Sequence, residues 1–326
     1  MKFLAAAPKA IREAAEIIRD GGLVAFPTET VYGLGADALS SRAVAKIFEV
    51  KNRPFFDPII VHVESLEALE KLTCISGTQD SILHAKVKKL AEKFWPGPLT
   101  LVLPKKEIVP DIVTAGLSTV AIRMPSHPVA LRLIAEAGRP IAAPSANPFG
   151  NLSPTTAEHV RNQIGGEIDM ILDGGPCPVG IESTVLDLSS PEPVVLRPGG
   201  LPIEAIEKLL GKVEIASDAG SSRPRAPGLL TRHYSPRTPL VILGKRVTPR
   251  REENAGLLAF QAPIEGPFRK VEILSDRGDL REAAARFFAC LHELDKAGLA
   301  IIYAEPVPEI GLGQAIMNRL RKAAGS

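Results

Sequence analysis

The stretch LVAFPTETVYGLGADALSSRAVAKIFEVKNRPFFDPIIVHV, residues 23–63, decides the fold class of this chain. Leu23–Phe26 and Pro58–Val63 are short apolar runs bounded by turn signals, a pattern typical of buried strands. Between them, Ser40 can cap a helix that continues to about Val50. A strand, a helix and a second strand in this order predict an architecture of the α/β or α+β class.

The same two patterns recur along the rest of the chain. Apolar spacing of three and four residues predicts helices over Pro8–Arg19, Ser65–Leu72, Pro128–Ala137, Thr155–Gln163 and Pro202–Leu210. Further strands are predicted at Leu99–Leu103, Thr119–Arg123, Met170–Leu172, Ser183–Leu188 and Val194–Leu196. Because these strands do not alternate strictly with helices, we expect a twisted mixed sheet with surrounding helices rather than a plain doubly wound sheet.

Length and composition predict two domains joined by a linker. The chain has 326 residues, which is more than one hydrophobic core usually serves. Residues 213–239 are rich in Ser, Gly, Pro and Arg, as in a linker or a functional loop. We therefore predict a first domain over residues 1–212 and a small βα-type domain over residues 240–326.

Charge and cysteine content narrow the class of protein. With 39 Lys+Arg against 37 Asp+Glu the net charge is +2, which argues against a dedicated DNA-coating protein. The sequence has no run of eighteen apolar residues, so we expect no membrane span. Three widely spaced cysteines, Cys74, Cys177 and Cys290, suit a reducing cytoplasm and lack the spacing of a zinc site.

Two short polar motifs can each direct a pair of side chains to one place. In KNRP, Pro54 biases Arg53 toward extended backbone, so Lys51 and Arg53 would point the same way. In PSAN, residues 144–147, the same reasoning places Ser145 and Asn147 on one face. The alternative is that both motifs are surface loops with solvated polar residues.

Arginines in apolar strands require a partner. Arg123 in VAIRMP and Arg197 in VVLRPGG each need an anion, either a carboxylate of the protein or one of a ligand. His62, in an apolar strand, has the alternative of being a hydrogen-bonded core histidine.

A glycine motif and a lysine run have less specific interpretations. Residues 33–38, GLGADA, fit the dinucleotide pattern GxGxxA, but no acid follows at the ribose-binding position, so glycines of a tight turn are favoured. The lysines of residues 86–93 are interpreted as a solvated helix face, with RNA contact as the alternative. The sequence contains no P-loop, no GxSxG, no HExxH and no CxxC.

Taken together, these motifs resemble one family. Its motifs match PTETVYGLG at 27–35, KNRP at 51–54, PIIVHV at 58–63, FWPGPLTLVL at 94–103, VAIRMPSHP at 120–128, PSAN at 144–147, STV at 183–185, LRPG at 196–199 and RHYSP at 232–236. The chain resembles the YrdC-like superfamily, in the two-domain form of the threonylcarbamoyl-AMP synthase family. The resemblance extends over essentially the whole sequence.

The resemblance implies an activity and a fold. The reaction would join L-threonine, bicarbonate and ATP, with Mg²⁺, to give threonylcarbamoyl-AMP, pyrophosphate and water. A tRNA-modifying transferase complex would then move the threonylcarbamoyl group to adenosine 37 of tRNA; direct contact with tRNA stays open. The implied fold is a twisted sheet with a concave basic cavity, plus a small Rossmann-like C-terminal domain whose linker covers the cavity.

The resemblance also implies roles for residues of this chain. The threonine site would comprise Thr30, His62, Arg123, Ala143 and Ser183. The nucleotide site would comprise Arg53, Asp57, Thr119, Ser145, Ser153, Arg197 and Tyr234. Lys51, Arg53, Ser145 and Asn147 would be the catalytic group, and no metal ligand among the side chains is assigned.

Two points qualify the implied site. Asp57 stands where many relatives have asparagine, which places an acid near phosphates. The alternative function is a non-catalytic RNA-binding or regulatory member of the superfamily, which could lose the Lys/Arg and Ser/Asn pairs that this chain keeps.

Overall fold

The computed structural model describes residues 1–75, 81–216, 225–228, 234–244 and 254–325. The strands in these ranges are β1 (Lys2–Ala5), β2 (Val24–Phe26), β3 (Gly33–Asp37), β4 (Val61–His62), β5 (Leu99–Pro104), β6 (Thr119–Arg123), β7 (Ile141–Ala142), β8 (Met170–Asp173), β9 (Thr184–Asp187), β10 (Val194–Arg197), β11 (Glu214–Ile215), β12 (Leu240–Ile242), β13 (Ala255–Ala259), β14 (Phe268–Ile273) and β15 (Ile301–Ala304). The helices are α1 (Pro8–Arg19), α2 (Ser41–Lys51), α3 (Leu66–Leu72), α4 (Ser81–Phe94), α5 (Asp111–Thr114), α6 (Pro128–Ala137), α7 (Ala157–Ile164), α8 (Ile203–Leu210), α9 (Leu280–Asp295) and α10 (Leu312–Ala324).

A large mixed sheet forms the first part of the molecule. Within the described ranges its strand order is β1-β8-β2-β3-β7-β4-β6-β5-β9-β10-β11. Strand β6 is parallel to β4 on one side and antiparallel to β5 on the other. The predicted mixed sheet with surrounding helices is therefore confirmed.

Helices cover both faces of this sheet because its central strands are apolar on both faces. In β2, Val24 and Phe26 pack into the cluster formed with α1 and α6, whereas Ala25 packs with α2 and α7 on the other side. Successive side chains of a strand point to opposite faces, so this alternation places one helical layer on each face. Full burial of a large aliphatic or aromatic side chain such as Phe26 stabilises the fold by about 1.5–3 kcal/mol.

A second, smaller sheet follows, in the order β12-β15-β13-β14, and all its described pairings are parallel. Helices α9 and α10 pack against it, as expected for a small Rossmann-like domain. Strand β14 was not predicted, because its burial alternates between half-buried and exposed positions and its apolar signal is weak. Apolar residues of the first domain, including Val31, Leu152 and Ile181, belong to the same core cluster as α9 and α10.

The predicted linker, residues 213–239, is partly described. Its first residues form β11, which pairs in parallel with β10. Residues 225–228 are also described, and Ala226 is fully buried. The domain limits stay a prediction, and Arg232 and His233 of the RHYSP motif lie outside the described residues.

The glycines of GLGADA lie in a strand, so the interpretation as a tight turn is wrong. Gly33 and Gly35 belong to β3 and are fully surrounded. A Cβ atom on Gly35 would lie 2.7 Å from Cε1 of Phe26 and 2.9 Å from Cγ2 of Ile141. Glycine is required there because neighbouring strands pack closely, and the pattern GxGxxA alone does not reveal this requirement.

Among the helices of the described residues, none has the length and apolar character needed to cross a bilayer.

Candidate active site

A cleft lined by residues of β3, β4, β6 and β10, among others, collects most of the residues assigned from the sequence. Its cavity volume is about 50 Å³. The assigned residues that line it are Thr30, Lys51, Arg53, His62, Arg123, Ala143, Ser145, Asn147, Ser183, Arg197 and Tyr234. Residues distant in sequence therefore meet in one place, and we take this cleft as the candidate active site.

Strand register explains how several of these residues come together. His62 of β4 is paired with Arg123 of β6, and Arg123 is in turn opposite Thr100 of β5. The Thr100 hydroxyl lies 2.8 Å from that of Ser183, which directly precedes β9. Because paired residues on adjacent strands point to the same side, the polar side chains form a row across the sheet.

Lys51 reaches the cleft from the end of a helix. It is the last residue of α2, and Asn52 caps this helix with a left-handed backbone at φ 50°. The expectation of an extended Lys51-Asn52-Arg53 segment is therefore wrong, although both cations do face the same cleft. The left-handed residue turns the chain sharply, a conformation that asparagine tolerates better than most residues.

The PSAN loop is held by backbone contacts on both sides. Gly33 of β3 forms an isolated antiparallel bridge with Ser145. The ammonium group of Lys51 donates to the carbonyl oxygens of Ser145 and Asn147. The Asn147 side-chain amide donates to the carbonyl oxygens of Pro148 and Asn151. The Lys51/Arg53 segment and the loop that carries Ser145 and Asn147 are thus joined directly by hydrogen bonds.

Arg53 is paired with Asp57 below the surface of the cleft. Its Nη2 lies 2.9 Å from Oδ2 of Asp57, and both side chains are almost fully buried. Arg53 also donates to the carbonyl oxygens of Asp57 and Pro58. The Asp57 carboxylate is therefore balanced by an arginine of the same loop.

Arg123 has a protein carboxylate as its partner. Its Nη2 lies 2.6 Å from Oε1 of Glu29, and its Nη1 donates to the Thr30 hydroxyl at 2.8 Å. The sequence allowed either a protein carboxylate or one of a ligand as the anion beside this arginine, and Glu29 is the protein carboxylate. Burial, and secondarily the Arg123 charge, lowers the pKa of His62 to about 3, so this histidine is neutral near pH 7.

Arg197 is held by main-chain oxygens instead. It donates to the carbonyl oxygen of Ser183 through Nε and Nη2, and to that of Pro227 through Nη1. Tyr234 lies beside it and is 1% exposed. Burial lowers the pKa of Arg197 and raises the pKa of Tyr234. The hydrogen bond between the two side chains partly offsets each of these pKa shifts.

The electrostatic balance of the cleft favours anions. Among the residues that the structure describes, Lys51 and Arg197 make no ion pair with a carboxylate, while Arg53, Arg123 and Arg319 are each paired with one. Two buried cations with only neutral oxygen partners are expensive to keep charged. A bound anion would remove that penalty, which identifies the ligand class as anionic.

Three assigned residues do not line the cleft. Asp57 and Ser153 are fully buried, and Thr119 is half-buried at the start of β6. Ser153 donates its hydroxyl to Glu182. For these three residues, direct contact with a nucleotide stays a prediction.

Sequence reasoning did not identify three charged residues at the site. They are Glu29, Glu182 and Arg319, and Glu182 lines the cleft itself. Glu29 lies inside the quoted motif PTETVYGLG, so its position next to the assigned Thr30 was the available signal. Glu182 and Arg319 are 137 residues apart, and nothing local in either segment indicates their contact.

The chemistry of the donor set argues against a metal site built by the protein alone. Over residues 1–75, 81–216 and the other described ranges, no group of three or more His, Cys, Asp or Glu side chains could hold a metal ion. The carboxylates nearest the cleft, Glu29, Asp57 and Glu182, are each paired with an arginine.

Family models match both parts of the chain. Residues 16–199 match the model of the Sua5_yciO_yrdC family, described as telomere recombination. Residues 201–325 match the model described as threonylcarbamoyl-AMP synthase, C-terminal domain. The fold alone is also shared with YciO of E. coli, at a TM-score of 0.51 and 24% identity over 61% of this chain and 94% of that chain.

Relatives and a solved structure match over nearly the full length. Threonylcarbamoyl-AMP synthase of Pyrococcus abyssi is 47% identical, covering 97% of this chain and 94% of that protein. The Bacillus subtilis protein of the same name is 44% identical, covering 97% and 93%. A crystal structure of P. abyssi Sua5 complexed with L-threonine has a TM-score of 0.89 at 44% identity, covering 99% of this chain and 96% of that one. With both domain models and full-length relatives in agreement, this chain belongs to the threonylcarbamoyl-AMP synthase family, in the two-domain form predicted from its motifs.

Proposed function

We propose that this enzyme is a nucleotidyltransferase that joins L-threonine, bicarbonate and ATP into threonylcarbamoyl-AMP, pyrophosphate and water. The observation that carries the proposal is a buried cleft in which Lys51 and Arg197 lack a carboxylate partner in the described part of the chain. All three substrates are anionic or carry a carboxylate. Two full-length relatives carry the name of this synthase, and the structure of one of them holds L-threonine.

The threonine side of the cleft is proposed to comprise Thr30, His62, Arg123, Ala143 and Ser183, all of which line it. Arg123 is kept in place by Glu29, and neutral His62 is beside it. An arginine that is already held in a fixed orientation can bind a carboxylate without further loss of side-chain freedom.

The nucleotide side is proposed to comprise Arg53, Ser145, Arg197 and Tyr234, which line the cleft, together with Asp57, Thr119 and Ser153, which do not. Arg197 has no carboxylate partner in the described ranges, which suits it to phosphate oxygens. Pro227, Gly228 and Tyr234 of the predicted linker also line the cleft, so we propose that the linker covers the loaded site.

The reaction requires positioning and charge stabilisation more than a protein nucleophile. The threonine amine adds to bicarbonate and releases water, giving a carbamate. A carbamate oxygen then attacks the α-phosphorus of ATP, and the bond to pyrophosphate breaks. Lys51 and Arg53 would stabilise the negative charge that develops on the phosphate oxygens, while Ser145 and Asn147 orient the carbamate through hydrogen bonds.

Magnesium enters this proposal with ATP. Because the carboxylates nearest the cleft are paired with arginines, phosphate oxygens and water would supply its ligands. All three cysteines are free thiols, which suits the cytoplasmic location that we propose. The product would be consumed by a transferase acting on tRNA.

Product analysis with ATP, threonine and labelled bicarbonate tests the proposal. Pyrophosphate should be released only when threonine and bicarbonate are both present, and the label should appear in an adenylate. Full pyrophosphate release without threonine would contradict the proposal. RNA binding with no adenylate formed would instead support the alternative of a non-catalytic RNA-binding or regulatory protein.

A further inference from the structure

The last helix of the C-terminal domain places an arginine in the wall of the candidate active site. Arg319 of α10 is 0% exposed. Its Nε lies 3.0 Å from Oε2 of Glu182, which lines the cleft, and its Nη1 donates to the carbonyl oxygen of Pro198. A residue of the second domain is therefore in direct contact with the first domain's site.

The same guanidinium faces the ring of Tyr234. The Arg319 carbon Cζ is 5.4 Å from the ring centroid, a distance typical of a cation–π contact. Phe288 of α9 packs against the ring as well, at 5.8 Å between centroids. The C-terminal domain thus contributes both a cation and an aromatic ring to the surroundings of Tyr234.

Tyr234 needs such support because of its backbone. Its φ is 63°, in the left-handed region that bulky residues rarely adopt. This conformation persists only where the surrounding structure holds it. The neighbouring Ser235 amide donates to the carbonyl oxygen of Gly150, which also lines the cleft.

A second cation of α10 contacts residues 225–228 of the linker. The Lys322 ammonium group donates to the carbonyl oxygen of Gly228 at 2.7 Å. Gly228 is close to the tyrosine, since a Cβ at this position would lie 2.4 Å from the Tyr234 hydroxyl. Arg319 and Lys322 are three residues apart on one face of the helix, so α10 contacts the linker at two points.

We propose that Arg319 is a positioning residue for adenylate formation, which acts through Glu182 and Tyr234 to hold the linker against the nucleotide side of the cleft. The proposal rests on the proposed function for the identity of the nucleotide. It assigns the C-terminal domain a direct part in completing the site, because Tyr234 in turn contacts Arg197.

A purely structural ion pair is the competing explanation. Removing one member of a buried pair leaves an uncompensated charge and destabilises a protein whatever its function. Removing both charges relieves that penalty but does not replace the contact with Tyr234. The two explanations therefore differ in the double variant Arg319→Met/Glu182→Gln.

The experiment uses the full chain, four variants of it and one control variant. They are Arg319→Met, Arg319→Lys, Arg319→Met/Glu182→Gln and, as reference, Glu182→Gln. Arg321→Met is the matched control, because Arg321 lies on the same helix but is exposed and pairs with Glu309. Each protein is measured for thermal stability, for kcat and KM with ATP and threonine, and for residue-resolved hydrogen exchange at the Ser235 amide.

Positioning predicts a specific pattern. The KM for ATP should be about tenfold or more higher in Arg319→Met than in the wild type, and about tenfold or more higher in the double variant than in Glu182→Gln. The KM for threonine should stay within about twofold in both comparisons. Exchange at the Ser235 amide should accelerate in both, whereas Arg321→Met should match the wild type. Arg319→Lys, which keeps a cation facing Glu182, should retain stability, and its KM for ATP should lie between those of the wild type and Arg319→Met.

Other results would overturn the inference. If the double variant recovers wild-type stability together with the ATP dependence and Ser235 exchange of Glu182→Gln, Arg319 has only a structural role. If Arg319→Met does not fold, the double variant and Arg319→Lys give the same comparison. A wild-type protein that forms no adenylate would contradict the proposed function, while the exchange measurement would still decide whether Arg319 holds the linker.

Discussion

The buried ammonium group of Lys51 faces the cleft and also holds the PSAN loop. It is 1% exposed, and it donates to the carbonyl oxygens of Ser145 and Asn147. Burial and the nearby Arg53 charge lower its pKa, so the site is costly to maintain unless an anion binds there. The two carbonyl contacts tie the position of this cation to that of the PSAN loop.

Lys51→Met should therefore lower catalytic activity far more than it lowers folding stability. We expect kcat/KM to fall by about a hundredfold or more, because a group that stabilises developing charge is lost. Steady-state kinetics of adenylate formation would measure this. Lys46→Met is the control, since Lys46 lies on the same helix and donates to the Gly21 carbonyl oxygen outside the cleft. Wild-type turnover in folded Lys51→Met would remove Lys51 from the catalytic group.

Arg123→Lys tests the division of the cleft into two sides. Arg123 uses three nitrogens at once, toward Gly97, Thr30 and Glu29, and a lysine cannot reproduce this fork. The dissociation constant for threonine should rise by about tenfold or more, and that for ATP should change much less. Calorimetric titration of each ligand would measure both. An equal or larger loss for ATP would place Arg123 on the nucleotide side.

Among the elements, strand β3 shows why glycine is needed in the middle of a buried sheet. Gly35→Ala would force a methyl group against Phe26 and Ile141, and overpacking of this kind costs about 1–3 kcal/mol. Denaturant unfolding would measure the loss of stability. Gly166→Ala is the matched control, because no atom lies within 4 Å of the added Cβ, and we expect it to be nearly neutral. Equal stability of the two variants would contradict the packing argument.

Elements with a strong local signal were predictable, and contacts between distant segments were not. Helices α1 and α6 begin and end at the predicted residues, because apolar spacing and the N-terminal proline both act locally. Strand β4 proved shorter than its apolar run, Pro58–Val63, because hydrogen-bond pairing rather than composition sets its ends. For the site, the resemblance supplied the residues, but the partners Glu29, Glu182 and Arg319 follow only from the assembled fold.

For the molecule as a whole, the interface between the domains contains a stacked histidine pair. His159 of α7 and His292 of α9 have ring centroids 3.9 Å apart. The His292 ring nitrogen Nε2 donates to the Ser153 carbonyl oxygen at 3.1 Å, and the Thr155 amide donates to Nδ1 of His159. Burial lowers the pKa of His159 to about 3 and that of His292 to about 4, so the stacked pair is neutral near pH 7.

The interface should consequently weaken in mild acid. An unfolded histidine titrates near pH 6.5, so between about pH 4 and 6.5 the unfolded chain binds more protons than the folded one. The stability that neutral His292 contributes is fully present above pH 6.5 and is lost as the pH falls toward 4, by at most about 1.4 kcal/mol per pH unit.

Urea unfolding of the wild type between pH 6.5 and 5 should show this decline. His292→Gln, which can still donate to Ser153 but does not titrate, should show a shallower one. Parallel curves for wild type and His292→Gln would mean that the stacked pair does not set the acid sensitivity.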